Sequence, residues 1–119
     1  MTDYLLVFIG GGLGSIFRYG IAHLLASQNY TFPFATLLAN IISCIILGAL
    51  IGLHLKGGVS TTYKLLLMTG FCGGFSTFST FSGETLLLLQ AGDLAAAFLN
   101  IGGSVLVCLF CIYLGLKLV

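Results

Sequence analysis

The sequence predicts an all-α integral membrane protein of four transmembrane helices, with a break in the third. Three observations carry that prediction. The chain of 119 residues is 59% hydrophobic and 6% charged, with a mean hydropathy of +1.18; a soluble domain of this length could not cover its surface with so few charges. The apolar residues fall in continuous blocks, each matching the roughly 20 residues a helix needs to cross hydrocarbon. One block is interrupted between Gly70 and Ser82 by glycines and hydroxyls. A plain anchor would not contain that mixture, because glycine weakens a helix and hydroxyls in hydrocarbon need partners. Continuous rather than alternating blocks exclude a β-barrel. A net charge of +1 with no basic patch points away from nucleic acid.

The four spans are placed at residues 4–25, 32–55, 65–91 and 94–116. The first is long and lacks a basic leader, so it is expected to stay as a helix rather than be removed as a signal peptide. Ser27-Gln28-Asn29-Tyr30-Thr31 separates it from the second, where Pro33 suits a first helical turn. Residues 56–64, from Lys56 through Gly57-Gly58 to Lys64, form the second connector, and Gly92-Asp93 the third. Connectors this short leave no room for an extramembrane domain. Residues 1–119 are expected to form a single four-helix domain whose function sits among the helices.

Glycines at 10, 11, 12 and 14, at 48 and 52, and at 102 and 103 permit close backbone approach, either within the chain or between copies of it. Cys44, Cys72, Cys108 and Cys111 all fall inside spans and read as small packing residues. The polar side chains in the spans are more telling. Arg18 is placed where a charge costs about 2.5–3.5 kcal/mol or more; it either snorkels to the interface near His23 or stands near an anion entrance. Glu84 lies late in the third span, where it could bind a cation, relay a proton or border a polar vestibule. Asn40 and Asn100 each bring two N–H donors and an acceptor.

On a continuous helix Phe75, Phe78 and Phe81 form one stripe. Ser76, Ser79 and Ser82 form a second, and Thr77 with Thr80 a third. Phenyl rings carry positive potential at their edges, and hydroxyls with amide N–H groups can replace a lost hydration shell. These are parts for an anion path.

The chain resembles the Fluc (CrcB-type) fluoride channel family over essentially its whole length. The resemblance rests on Gly11-Gly12-Leu13-Gly14-Ser15-Ile16-Phe17-Arg18-Tyr19, on Asn40 in Phe34-Ala35-Thr36-Leu37-Leu38-Ala39-Asn40, and above all on the run from Gly70 to Ser82. It implies an antiparallel, dual-topology homodimer in the bacterial inner membrane, with two pores lined by both subunits. By that similarity Phe78 and Phe81 present ring edges to fluoride, and Asn40 projects its amide into the path. Ser79, Thr80 and Ser82 add hydroxyls, Glu84 sits toward a pore end, and Arg18 near the vestibule. The break is expected at residues 73–76, with the carbonyls of Gly73 and Ser76 holding one structural sodium ion (Na+) at the dimer centre. Fluoride that enters as neutral HF and dissociates inside would leave passively.

The alternative is a small multidrug-type proton-coupled exporter using Glu84. It needs a central membrane carboxylate, yet Glu84 comes late in its span, and no tryptophan is present to stack an aromatic cation. A scaffold subunit would leave the phenylalanine–hydroxyl pairing unexplained. One feature fits dual topology imperfectly. Lys56, Lys64 and Lys117 fall on the amino-terminal side, against Arg18 alone, and such a bias favours one orientation. A homodimer is still expected, with an oriented heterodimer half as the other case. No catalytic constellation is present, and a non-enzyme is expected.

Overall fold

The computed structural model describes residues 1–28 and 31–119, all of them helix or connecting turn with no strand among them. Asn29 and Tyr30, part of the first predicted connector, lie outside the described residues. Helix α1 runs Thr2–Leu25 and closes in a 3₁₀ turn, Ala26–Gln28. Helix α2 is Phe34–Leu55. The third span is composite. A first turn α3 (Thr61–Tyr63) widens into a π-helix, Lys64–Cys72, and tightens again in α4 (Gly73–Phe75). After Ser76 and Thr77 the chain resumes as α5 (Phe78–Gln90), and α6 is Leu94–Leu118.

Helix α1 with its closing turn, α2 and α6 are each long and apolar enough to cross a membrane. The third crossing is divided between two pieces, so neither reaches that length alone. The long dimension of the chain, 47 Å, matches a bilayer of about 40–45 Å including headgroups.

The connectors explain themselves locally. Gly57 and Gly92 have φ of +76° and +80°, which glycine adopts without steric penalty. After α2, the N–H of Gly58 donates to Leu53 and that of Gly57 to His54; after α5, Asp93 donates to Leu88 and Gly92 to Leu89. Both are Schellman closures. Asp93 then caps α6 by accepting from the N–H of Ala96 at 3.2 Å, so one residue ends one helix and starts the next. Pro33 occupies the N-cap of α2 rather than its first turn, where its missing N–H is equally harmless.

Packing follows the glycines. Gly10 and Gly14 lie against the backbone of Leu66, Phe71 and Phe75, and Gly74 against Gly11. Leu66 and Phe71 are five residues apart yet face the same helix, a step the i→i+5 geometry of the π-segment provides. Gly48 stands against Ile112, Gly52 against Leu116, and Gly115 against Ile45 and Ala49. The constant offset means that α2 and α6 run parallel. Gly10, Gly11, Gly14, Gly48 and Gly52 therefore serve contacts within the chain. Gly12 and Gly102 face open space.

Two expectations are corrected here. The break falls at Ser76–Thr77, not across residues 73–76. Gly73 keeps helical angles (φ −64°, ψ −37°), while Ser76 and Thr77 are extended (ψ 157° and 122°). Gly74 is needed for its approach to α1, and the helix opens instead where side chains offer the backbone other partners. The phenylalanine stripe is also cut in two. Phe75, 2% exposed, packs edge-on against Phe71 at 5.4 Å and beside Phe17 at 6.2 Å. Phe78 and Phe81 lie beyond the break, 5.8 Å from each other.

A methyl added at Gly48 would collide with the carbonyl of Ile112, whereas one added at Gly20 meets nothing. Gly48→Ala is expected to destabilise the fold by about 1–3 kcal/mol through overpacking. Gly20→Ala should leave the melting temperature unchanged or raised. Thermal unfolding in detergent, followed by circular dichroism, reads the difference.

Candidate functional site

Breaking a helix inside a membrane frees backbone groups that lipid cannot satisfy, and several of those near Ser76–Thr77 are met by named side chains. Asn40, on α2, pairs with Thr77 in both directions. Its Oδ1 accepts from the Thr77 N–H at 2.9 Å, and its Nδ2 donates to the Thr77 carbonyl at 3.5 Å. The carbonyl of Cys72 accepts from Ser43 Oγ at 3.1 Å and Ser76 Oγ at 2.8 Å. Arg18 Nε donates to the carbonyl of Gly74 at 3.2 Å, with Ser15 Oγ at 3.5 Å. Thr77 Oγ1 then accepts from the N–H of Thr80 at 3.1 Å, capping α5.

Two clefts flank the break. One, of about 240 Å³, is bordered by Asn40, Cys44, Ser76, Thr77, Phe78, Phe81, Ser104, Val105 and Cys108. The other, of about 280 Å³, is bordered by Ser15, Arg18, Thr36, Thr77, Thr80 and Glu84, with Tyr19, Ala22 and Ala35. Glu84 also borders a cavity of about 700 Å³ that reaches Ala26, Pro33, Ala91 and Asp93 at the connector end. Glu84 and Ala22 border both this cavity and the second cleft.

The expected site residues divide accordingly. Asn40, Phe78 and Phe81 share one cleft; Arg18, Thr80 and Glu84 share the other. Phe78 is 81% exposed on the single chain. Ser79 is exposed and shares a hydrogen bond with Thr77 at 3.3 Å. Ser82 is exposed and borders neither cleft. Arg18 does not simply snorkel: it turns inward onto Gly74. Although it shares a cavity with Glu84, the two form no ion pair. Glu84 Oε1 accepts from Thr36 Oγ1 at 2.7 Å, and its Oε2 is buried without a partner.

Asn100 proves to be interhelical glue. Its Nδ2 donates to Thr85 Oγ1 at 2.9 Å, its Oδ1 accepts from Ser104 Oγ at 3.1 Å, and Thr85 Oγ1 donates to the Phe81 carbonyl at 2.7 Å. Thr36, Ser43, Ser15, Thr77, Thr85 and Ser104 escaped the reading of the sequence as site residues. For two of them the signal was there: Thr36 and Ser43 flank Asn40 at i−4 and i+3, on one helix face.

The donor set suits a cation held by backbone rather than by side chains. No hydrogen bond among the described residues ends on the carbonyl of Gly73 or Ser76. No group of three or more His, Cys, Asp or Glu that could hold a metal occurs among them either.

Comparison with known proteins gives the chain its relatives. Residues 5–116 match the family described as CrcB-like protein, Camphor Resistance (CrcB). A protein of Shewanella sp. (strain W3-18-1) named fluoride-specific ion channel FluC is 43% identical over 120 residues, covering 100% of this chain and 97% of the relative. One of the same name from Pyrococcus abyssi is 49% identical over 112 residues, covering 93% and 90%. With a family match across nearly every residue and relatives this similar end to end, the chain belongs to the CrcB family.

Proposed function

We propose that this membrane protein conducts fluoride passively out of the cytoplasm, across the bacterial inner membrane, and so relieves fluoride toxicity. It is an ion channel and not an enzyme, as its relatives' names imply. The observation that carries the finer reading is the cleft in which Asn40, anchored to Thr77, stands beside Phe78 and Phe81. Anchoring uses one N–H of the amide and leaves the second for an anion. The rings add positive edges while excluding water.

A pore needs two walls. Phe78 is exposed on the single chain, and an antiparallel second copy would cover it. Two such pores, one on each side of the dimer axis, would each be lined by both subunits. Thr80 and Ser79 extend the hydroxyl track from the break, and Arg18 and Glu84 border the vestibule that leads to it. Ser82 joins this wall only in the dimer. The free carbonyls of Gly73 and Ser76, doubled by the two-fold axis, would hold the structural sodium. When bound, that ion supplies fixed positive charge, which favours a nearby anion. The exporter reading finds no support among the relatives.

Purified protein in liposomes should release fluoride rapidly and leave chloride inside; folded dimers that release neither would overturn the reading. A ring-edge contact of about 0.5–1.5 kcal/mol corresponds to up to about tenfold in rate. Phe78→Ile and Phe81→Ile are therefore each expected to slow fluoride efflux by about that factor or more, with expression intact. Asn40→Ala loses both the anion donor and the Thr77 pairing, and should abolish efflux and lower the melting temperature together. For the dual topology, a tag at the carboxy terminus should be cleaved by protease from both faces of a sealed membrane. Cleavage from one face alone would favour the heterodimer that the lysine bias allows.

A further inference from the structure

Two thiols in the first cleft are used by none of the contacts described so far. Cys44 on α2 and Cys108 on α6 both border it, beside Phe81 and Ser104. The parallel register that sets Gly48 against Ile112 and Gly52 against Leu116 places Cys44 level with Cys108, one turn from the closest approach of the two helices. Their side chains border that cleft from the two sides of the α2–α6 seam. Both are free and half-buried, so a solute in the cleft can reach them; Cys72 and Cys111 are free but buried.

We propose that Cys44 and Cys108 form a two-coordinate site for a soft divalent d¹⁰ cation of the mercury(II) type, and that its occupancy closes the cleft. Thiolates select soft metals. Two facing sulfurs with no third ligand suit an ion that accepts linear coordination. The same poverty of ligands disfavours zinc, which seeks four, and no larger cluster exists among the described residues. Binding forms two metal–sulfur bonds and releases both thiol protons. The resulting bis-thiolate of a divalent ion is neutral, which the membrane interior tolerates far better than a charge. A monovalent silver ion bound in the same way would leave a net negative site, which the membrane interior opposes. The order mercury(II) over silver(I) over zinc(II) follows.

The closure half of the proposal rests on the reading of this cleft as the pore wall; the binding half does not. Intact-mass measurement of the full protein titrated with mercuric chloride should show one mercury per chain at stoichiometric metal, and two fewer thiols open to maleimide. Cys44→Ser and Cys108→Ser should each lose that uptake, with Cys44→Ala and Cys108→Ala as replacements should a serine variant not fold. Uptake that survives in Cys44→Ser/Cys108→Ser overturns the site. In liposomes, mercury should cut fluoride efflux at least tenfold relative to each protein's own untreated rate. Dithiothreitol should restore it, and the double variant should not respond. Stoichiometric uptake with undiminished efflux overturns the closure. Uptake by a protein that carries no fluoride at all would uphold the thiol site and sink the channel reading instead.

Discussion

The pairing of Asn40 with Thr77 is the interaction on which the rest of the site depends. A residue in extended backbone within a membrane exposes an N–H and a carbonyl, and each would cost several kcal/mol if left in hydrocarbon. A carboxamide can answer both at once, because it holds an acceptor and donors in a single plane. With that pairing in place, Thr77 is free to cap α5 through its hydroxyl, and Phe78 and Phe81 emerge at an angle no continuous helix would give them. Substituting aspartate would keep the acceptor and lose the donors. The break and the anion donor proposed beside it would therefore be two uses of one residue.

What holds Asn40 in place is the tight seam between α2 and α6. Glycine on both sides of that seam brings backbone against backbone, so the helices cannot slide without collision. The matching seam of α1 against the first half of the third span rests on Gly10, Gly14, Gly70 and Gly74. Between the two rigid pairs lie the break and its clefts. Close approach in lipid gains dispersion contact rather than hydrophobic burial, and it also shortens the reach that Ser43, Asn40 and Arg18 must span to the third helix. Small residues in the seams and polar side chains at the break are thus parts of one design.

Much of this could be read from the sequence, and the failures have physical causes. The apolar blocks gave the crossings to within a few residues, since bilayer thickness fixes their length. The importance of the Gly70–Ser82 run was equally visible. The position of the break was not. Glycine marks both flexible backbone and close packing, and Gly73–Gly74 belong to the helix, with Gly74 serving the second purpose. The helical projection of Phe75, Phe78 and Phe81 failed for the same reason, because a period holds only while the helix does. The π-segment left no trace in residue type; it shows only in the five-residue step from Leu66 to Phe71. The partners of Arg18 and Glu84 were out of reach as well, since contacts 56 and 48 residues apart depend on the fold rather than on spacing.

Glu84, a carboxylate, stands in the same cavity as Arg18. The geometry separates their roles. Arg18 places Nε on Gly74, and of its five N–H donors the rest stay uncommitted to Glu84, with which it forms no ion pair. Glu84 is turned toward Thr36 and the connector-side cavity, where one oxygen remains without a partner. Nearer the break, the groups with capacity to spare are donors: the second N–H of Asn40, the guanidinium and the hydroxyls. The carbonyls of Cys72, Gly74 and Thr77 there already accept hydrogen bonds. In the proposed fluoride path, an anion moving toward the break would leave the carboxylate behind and meet the N–H and O–H groups of Arg18, Thr80 and Asn40, which could replace part of its hydration shell.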